Sequence, residues 1–510
     1  MEPILNRNLL TNGFKFNDDL KIGTAEKMPE KVIQFGEGNF LRAFVDYMFD
    51  ELNAAGKFGG SITLVQPIEF GPITGFINEQ EGLYTLLARG LEQGKEVCNK
   101  RLITSVTRCL NPYADFETYS DCAKNPELRF VVSNTTESGI VYNKEDMVSG
   151  KPQNSFPAKI TAFLYTRYKA FNGDASKGLV FIPCELIDDN GKTLKKYVLQ
   201  HAADWNLEKE FTEWVENSNI FTSTLVDRIV TGYPRSDAET LCKEFGYKDN
   251  LINTSEIFHF WVIEGPEELS KELPFDEIGL NVLFTPNAKP YKKRKVRILN
   301  GAHTCSVLAA YLCGKNTVGE LMKDKKFYSY LEKALNDEII PTLSDLDYND
   351  LKFFADAVFD RFQNPYIQHF LLNIALNSTS KFRARVLPSI TEYIAEKKEL
   401  PKVLTFSFAA LLGFYKGDEI KDGALIGKRG DETYEIKDDA EVLELFKNLW
   451  TKCTVSDKAS VSELVKEVCS NEKIWGEDLN KLPGFSEKVA EHLFNIVNNG
   501  MQSEIDTLMA

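Results

Sequence analysis

"KVIQFGEGNFLRAFVDYMFDELNAAG", residues 31–56, is the stretch that decides the fold. Its first five residues carry Val32, Ile33 and Phe35, apolar and partly β-branched, which reads as a buried strand. Gly36-Glu37-Gly38 follows as a turn. Beyond it Leu41, Phe44, Val45, Met48, Phe49 and Leu52 recur at spacings of three and four, the apolar face of an amphipathic helix. Gly56 is placed to close that helix. "SITLVQP" (61–67) is the next strand. Strand, glycine turn, helix and strand open a Rossmann-like, doubly wound α/β domain. In such a turn Gly36 allows the tight bend, and Gly38 lets backbone N–H groups approach a pyrophosphate at the positive helix terminus. Leu41 stands where the usual fingerprint has its third glycine, so the spacing alone also fits a tight turn with no ligand.

The second strand ends Val65-Gln66-Pro67, where an acid commonly holds a ribose. Gln66 can bond a ribose hydroxyl, and Glu69 is an acid displaced by a longer loop. No lysine or arginine lies nearby to receive a 2′-phosphate, which favours NAD. The α/β pattern continues with strands at 84–90, 101–110, 128–134, 179–186 and 259–266, and helices at 114–125 and 156–171. After about residue 295 long helical patterns take over, such as "YLEKALNDEIIPTL" and "AEVLELFKNLW". The boundary falls in "TPNAKPYKKRK" (285–295), giving a dinucleotide-binding domain over 1–290 and a mainly α-helical substrate-binding and catalytic domain over 291–510. "KGDEIKDGALIGKRGDETYEIKDD" (416–439) is polar and glycine-rich and reads as a surface excursion.

Bulk properties exclude several classes. A net charge of −15 repels a phosphate backbone, so nucleic acid is not an expected partner. Nine scattered cysteines without a CxxC pair read as reduced thiols of a cytoplasmic protein. The start, "MEPILNRNLL", has no basic region followed by an apolar run. "VLTFSFAALLGF" (403–414) is too short to span a bilayer and reads as a buried helix, so no membrane partner is expected. The five histidines lie far apart in sequence, which argues against a zinc site of ordinary spacing.

"KVRILNGAHTC" (295–305) places a lysine, an asparagine and a histidine close together around Gly301. On a regular helix Asn300 lies about 140° and His303 about 80° from Lys295, and Gly301 leaves the neighbourhood open for a ligand. A lysine of lowered pKa can give a proton to a carbonyl oxygen. An asparagine amide can hold the developing oxyanion, and a histidine can orient a substrate hydroxyl or tune the lysine. The bland alternative is a basic helix start, "KKRKVR", with a buried histidine behind it.

The spacing Lys295-x4-Asn300-x2-His303 resembles the signature of the mannitol dehydrogenase (long-chain polyol dehydrogenase) family, and "GEGNFLRAF" resembles that family's cofactor loop. "QEGLYT", "SNTTESGI", "PCELIDDNG", "STLVDRIVTGYP", "RFQNPYIQH" and "KFRARVLP" resemble further family blocks, in order along nearly the whole chain. The resemblance implies catalysis by Lys295 as acid/base, by Asn300 with Asn190 as oxyanion site, and by His303 as a positioner. It implies NAD contacts from Phe35, Gly36, Gly38, Asn39, Phe40, Arg42 and Asn134, joining Gln66. It implies substrate contacts from Asp227 and Lys381, with Arg361 as a second candidate for a carboxylate, and no metal. Polyol-oxidising members tend to carry "SCDN" where this chain has "PCEL", and often arginine where Asn373 stands, which points away from a neutral hexitol. The wording is closest to members that act on a keto-uronate/aldonate pair. The implied reaction is reduction of tagaturonate to altronate in hexuronate catabolism. Fructuronate/mannonate and a neutral polyol/ketose pair are the enzymatic alternatives, and a non-catalytic dinucleotide sensor is the alternative of another class. Oligomeric state is not legible.

Overall fold

The computed structural model describes residues 2–92, 94–136 and 138–510. The chain divides into two compact units, Met1–Lys289 and Pro290–Ala510.

In unit 1 a parallel sheet is built from β1 (Glu30–Phe35), β2 (Ser61–Val65), β3 (Val106–Leu110), β4 (Phe130–Ser133), β5 (Val180–Pro183) and β6 (Ile220–Phe221). Their order is β3-β2-β1-β4-β5-β6, the doubly wound arrangement whose direction reverses between β1 and β4. The pleat explains the apolar run in β1. Val32 enters the core that also holds Phe44 and Phe49 of the following helix, α1 (Asn39–Ala54). Ile33 and Phe35 enter the opposite core, beneath α2 (Phe156–Ala170) and α3 (Asn190–Asp204). Both faces of the strand are therefore covered. Burying each of Phe44 and Phe49 contributes roughly 1.5–3 kcal/mol.

The stretch 101–110, which reads as a single strand, is two strands in two sheets. Lys95–Ile103 pairs antiparallel with Tyr84–Glu92 in a five-stranded sheet, whereas β3 joins the parallel one. The break has a cause in α1. Thr104 donates to Asp50 Oδ1 from its backbone N–H at 2.7 Å and from its hydroxyl at 2.8 Å. Ser105 Oγ donates to the carbonyl of Asp46 at 2.8 Å. The Thr104 N–H is thereby diverted from any ladder, and the Ser105 hydroxyl ties the break to α1. A third sheet contains β7 (Ser223–Asp227), β8 (Phe260–Glu264) and β9 (Val282–Thr285).

Unit 2 is mainly helical. One rod runs through α4 (Lys289–Lys295), a π-helical turn (Val296–Asn300) and α5 (Gly301–Leu312). The elements that matter below are α6 (Tyr348–Phe362), α7 (Ser378–Arg385) and α8 (Lys402–Phe414). Residues 403–414 of α8 are buried throughout, as expected of a core helix. Among the described residues no helix is long and apolar enough to cross a membrane. The polar stretch 416–439 has regular structure. It forms a three-stranded antiparallel sheet, Gly417–Lys421, Ala424–Arg429 and Glu432–Ile436, with Ala424, Leu425, Tyr434 and Ile436 buried. Asp422 and Gly423, both at positive φ, make the first tight turn.

Candidate active site

In unit 1 the turn after β1 separates its two glycines by role. Gly36 has φ +122, and a Cβ there would meet the Asn134 carbonyl oxygen at 3.0 Å, so only glycine fits. Gly38 caps α1 at φ −67, ψ 168 without a side-chain hydrogen bond, and nothing lies within 4 Å of where its Cβ would point. The first N–H groups of a long helix thus face open space, which suits an anion. Asn134 lies beside this turn, its N–H donating to the Phe35 carbonyl at 3.0 Å and its Nδ2 to the Cys184 carbonyl at 3.3 Å. Asn39 is exposed next to Gly38, and Phe40 is half-buried, stacked on Phe44 at 5.0 Å.

Four residues expected to meet a ligand are engaged by the protein instead. The Phe35 ring is wholly buried, edge-on to Phe156 at 5.3 Å, and it builds the core. Arg42 is 2% exposed. Its guanidinium donates to Glu37 O at 3.1 Å, Leu251 O at 2.9 Å and Asn39 Oδ1 at 2.7 Å, gripping the turn from inside. Gln66 Nε2 donates to Ile68 O at 2.7 Å and Glu69 O at 3.2 Å, while its Oε1 accepts from Thr74 Oγ1 at 2.6 Å. Both amide protons are spent on the loop after β2, so Gln66 has no donor left for a ribose. Glu69, exposed on the same loop, is the carboxylate that remains. Asn190 is wholly buried at the start of α3. Its Nδ2 donates to Pro183 O at 3.1 Å and Glu185 O at 3.0 Å, and its Oδ1 accepts from the N–H groups of Gly191 and Thr224 at 2.9 Å. Both protons and both lone pairs are engaged, so Asn190 offers no oxyanion donor and instead ties β5 to β7.

Glu185, which the sequence did not single out, is 2% exposed. It accepts from Ser133 Oγ at 3.0 Å and from Thr135 N–H and Oγ1 at 3.0 and 2.9 Å, joining the loops after β4 and β5. Burial pushes its carboxyl pKa up. Asp227 is buried at the end of β7. The guanidinium of its neighbour Arg228 donates to the carbonyls of Glu256 and Ala43 at 3.0 and 2.6 Å.

In unit 2 the π-helical turn changes the relation of Lys295 to Asn300. Bonds from i to i+5 stack residues five apart, so the two lie nearer one line than on a regular helix. The turn is anchored by Arg297, which donates to Ser389 Oγ at 2.7 Å and Thr342 Oγ1 at 2.9 Å and pairs with Glu392 at 2.6 Å. Lys293 pairs with Asp345 at 2.7 Å. Lys295 is half-buried among these fixed neighbours. Asn300 is half-buried as well, and among the described residues its amide makes no hydrogen bond. Gly301 does not open space for a ligand. A Cβ there would meet the Arg385 carbonyl oxygen at 3.3 Å and Ile339 Cδ1 at 3.7 Å, so the glycine admits the backbone of α7.

His303 is 9% exposed, stacked on Phe362 at 4.1 Å and edge-on to His369 at 5.1 Å. Its Nε2 is buried without a hydrogen-bond partner among the described residues, a costly arrangement that a ligand hydroxyl would relieve. Burial, with His369, Arg361, Arg385 and Lys381 nearby, holds its pKa well below the ordinary value. The imidazole is neutral, able to orient a hydroxyl but not to act as an acid. Lys381 is half-buried, and its Nζ donates to Ile374 O at 2.9 Å. Arg361 is 6% exposed near the end of α6. No group of metal ligands is present among the described residues.

An open doubly wound sheet with an uncapped helix behind its glycine turn, followed by a helical unit carrying lysine, amide and neutral imidazole on one rod, defines the class as a Rossmann-type α/β protein with a helical second domain. Known proteins agree with that description. The mannitol dehydrogenase Rossmann domain matches residues 30–277, and the mannitol dehydrogenase C-terminal domain matches residues 287–497. The altronate oxidoreductase of Yersinia enterocolitica (serotype O:8 / biotype 1B) is 46% identical over 480 residues, 94% of this chain and 96% of that one. The altronate oxidoreductase of Pectobacterium carotovorum subsp. carotovorum is 47% identical over 481 residues, again 94% of this chain and 96% of its own. The chain belongs to the mannitol dehydrogenase family. Solved structures share its fold. Pseudomonas fluorescens mannitol 2-dehydrogenase, in ternary complex with NAD and D-mannitol, has a TM-score of 0.67 at 24% identity over 99% of both chains. Substrate-free D-sorbitol dehydrogenase has a TM-score of 0.77 at 21% identity over 98% of this chain and 100% of its own.

Proposed function

We propose that this chain is a cytoplasmic, NAD-dependent, metal-independent oxidoreductase that interconverts D-tagaturonate and D-altronate in hexuronate catabolism. What supports it is identity of 46–47% to altronate oxidoreductases over 94% of the chain. Unit 1 holds the nucleotide and unit 2 carries the proton transfer. The N–H groups at the start of α1 hold the pyrophosphate, with Gly36 and Gly38 shaping the approach and Asn39, Phe40 and Asn134 flanking it. Glu69 accepts from the adenosine ribose, and its charge disfavours a 2′-phosphate. NADH, when bound, supplies the hydride to the carbonyl carbon. Lys295 gives the carbonyl oxygen its proton and takes it back in the reverse direction. The Asn300 amide donates to that oxygen as negative charge develops. Neutral His303 accepts from a substrate hydroxyl through Nε2 and holds the sugar chain in place. Asp227 is assigned to another hydroxyl and Lys381 to the carboxylate, with Arg361 held in reserve.

Two glycine variants separate nucleotide binding from folding. Gly38→Val puts a branched side chain into open space at angles any residue adopts, so the protein folds at its normal melting temperature while NADH affinity drops sharply. Gly36→Ala forces a side chain to positive φ against the Asn134 carbonyl and destabilises by about 1–3 kcal/mol. Calorimetric titration with NADH checks the first, and unchanged affinity in folded Gly38→Val would remove the pyrophosphate assignment. The reaction itself is tested by tagaturonate-driven oxidation of NADH with a chelator present. Full rate is expected, and a loss restored by added zinc would overturn the metal-independent mechanism.

A further inference from the structure

α7 carries three basic residues, and the structure treats them differently. Arg383 turns away, donating to the carbonyls of Lys473 and Ile474 at 3.3 and 3.4 Å. Lys381 and Arg385 are four residues apart, hence on one face of the helix, and burial together with the Arg385 charge lowers the Lys381 pKa against the pull of Asp438. Like charges at that spacing destabilise a helix unless something neutralises them. Among the described residues neither has a carboxylate within ion-pair distance. Arg385 makes a single long side-chain bond, from Nη1 to Thr304 Oγ1 at 3.4 Å, although it is only partly exposed. Buried Arg42 and Arg297, by contrast, are bonded through several guanidinium nitrogens. A half-buried guanidinium whose donors are mostly free of protein partners and open to solvent, near a buried imidazole nitrogen that lacks a partner, suits an anion.

We propose that Arg385 is the specificity-determining residue for the substrate carboxylate, taking it in a two-pronged pair with Lys381 as the second cation. The inference rests on the keto-uronate reading given above and names the group that selects it. A planar guanidinium fork matches a planar carboxylate in a way an ammonium cannot. The position also sets a ruler. Arg385 bonds Thr304, which is four residues beyond Asn300 on the same rod, about 6 Å along a helix rising 1.5 Å per residue. In tagaturonate the ketone carbon is four C–C bonds from the carboxyl carbon, about 5 Å in an extended chain of ~1.5 Å bonds. An amide at the ketone oxygen and a guanidinium at the carboxylate therefore span a 5-keto acid. A 2-keto acid, whose two groups are adjacent, reaches only one of them.

The test compares the parent enzyme with Arg385→Met and Arg385→Lys. Their kcat/KM is measured for tagaturonate and for the neutral ketohexose in which CH2OH replaces the carboxylate. Dissociation constants for altronate and its neutral alditol in the dead-end complex with NADH give the same comparison without turnover. Arg385→Met should lower kcat/KM and affinity for the acids by about 10–10²-fold, the usual worth of hydrogen bonds between charged groups. The neutral compounds should be unaffected, Arg385→Lys should recover part of the loss, and a 2-keto hexonate should be a poor substrate throughout. Equal losses for acid and neutral compounds, or no loss for the acids, would overturn the assignment. A parent enzyme with no activity on any uronate would instead sink the functional reading beneath it.

Discussion

Lys295→Ala lowers turnover by about 10²–10⁴, the usual worth of a positioned general acid or base, and leaves NADH affinity at the parent value. The nucleotide contacts assigned here all lie in unit 1, and Lys295 lies on the rod of unit 2. The rod keeps its shape in the variant, because Arg297 anchors the π-helical turn through Ser389, Thr342 and Glu392. The pH profile of kcat loses the limb contributed by the proton donor. Added primary amines recover part of the rate by filling the vacated volume. Single-turnover kinetics with tagaturonate and NADH measure the chemical step. Near-normal turnover with the parent's pH profile would return "KKRKVR" to a basic helix start beside a buried histidine.

Asn300→Ala costs about 10²–10³ in kcat, as loss of one oxyanion donor does, with little change in KM. An amide does not titrate, so the pH profile keeps its shape, and this distinguishes the variant from that of Lys295. The contrast with the other candidate asparagine sharpens the test. The Asn300 amide is free of protein partners among the described residues, whereas Asn190 has every hydrogen-bonding position engaged by backbone. Asn300→Ala should therefore melt like the parent while turning over slowly. Asn190→Ala strands the N–H groups of Gly191 and Thr224 and the carbonyls of Pro183 and Glu185, and should lose stability first. An Asn300→Ala enzyme with parent kcat, or one that fails to fold, would contradict the oxyanion assignment.

These contrasts mark where the sequence is readable. The turn after β1 is legible because two periods meet there, the strand's two and the helix's 3.6, with glycines at the joint. Residue type alone does not say whether a polar group is free. Arg42, Gln66 and Asn190 have the chemistry of ligand contacts, yet Arg42 is taken up by the remote Leu251 carbonyl, Gln66 by carbonyls of its own loop, and Asn190 by backbone both nearby and in β7. The π-helical turn at 296–300 leaves no mark in the sequence, and so the angular relation of Lys295 to Asn300 on a regular helix is not the one found. Gly301 reads as room for a ligand but serves α7, which only tertiary packing reveals. Arg385 did carry a signal, a cation one helical turn beyond Lys381 with no acid at matching spacing on α7. The small sheet at 417–436 carried one too, in Asp422-Gly423 between runs of alternating residues.

The most direct measurement of the central claim is kcat/KM with NADH for tagaturonate, fructuronate and fructose under one set of conditions. The value should be highest for tagaturonate, lower for fructuronate, and lowest for fructose, which brings no carboxylate to Lys381 and Arg385. Faster turnover of fructose than of either uronate would contradict it.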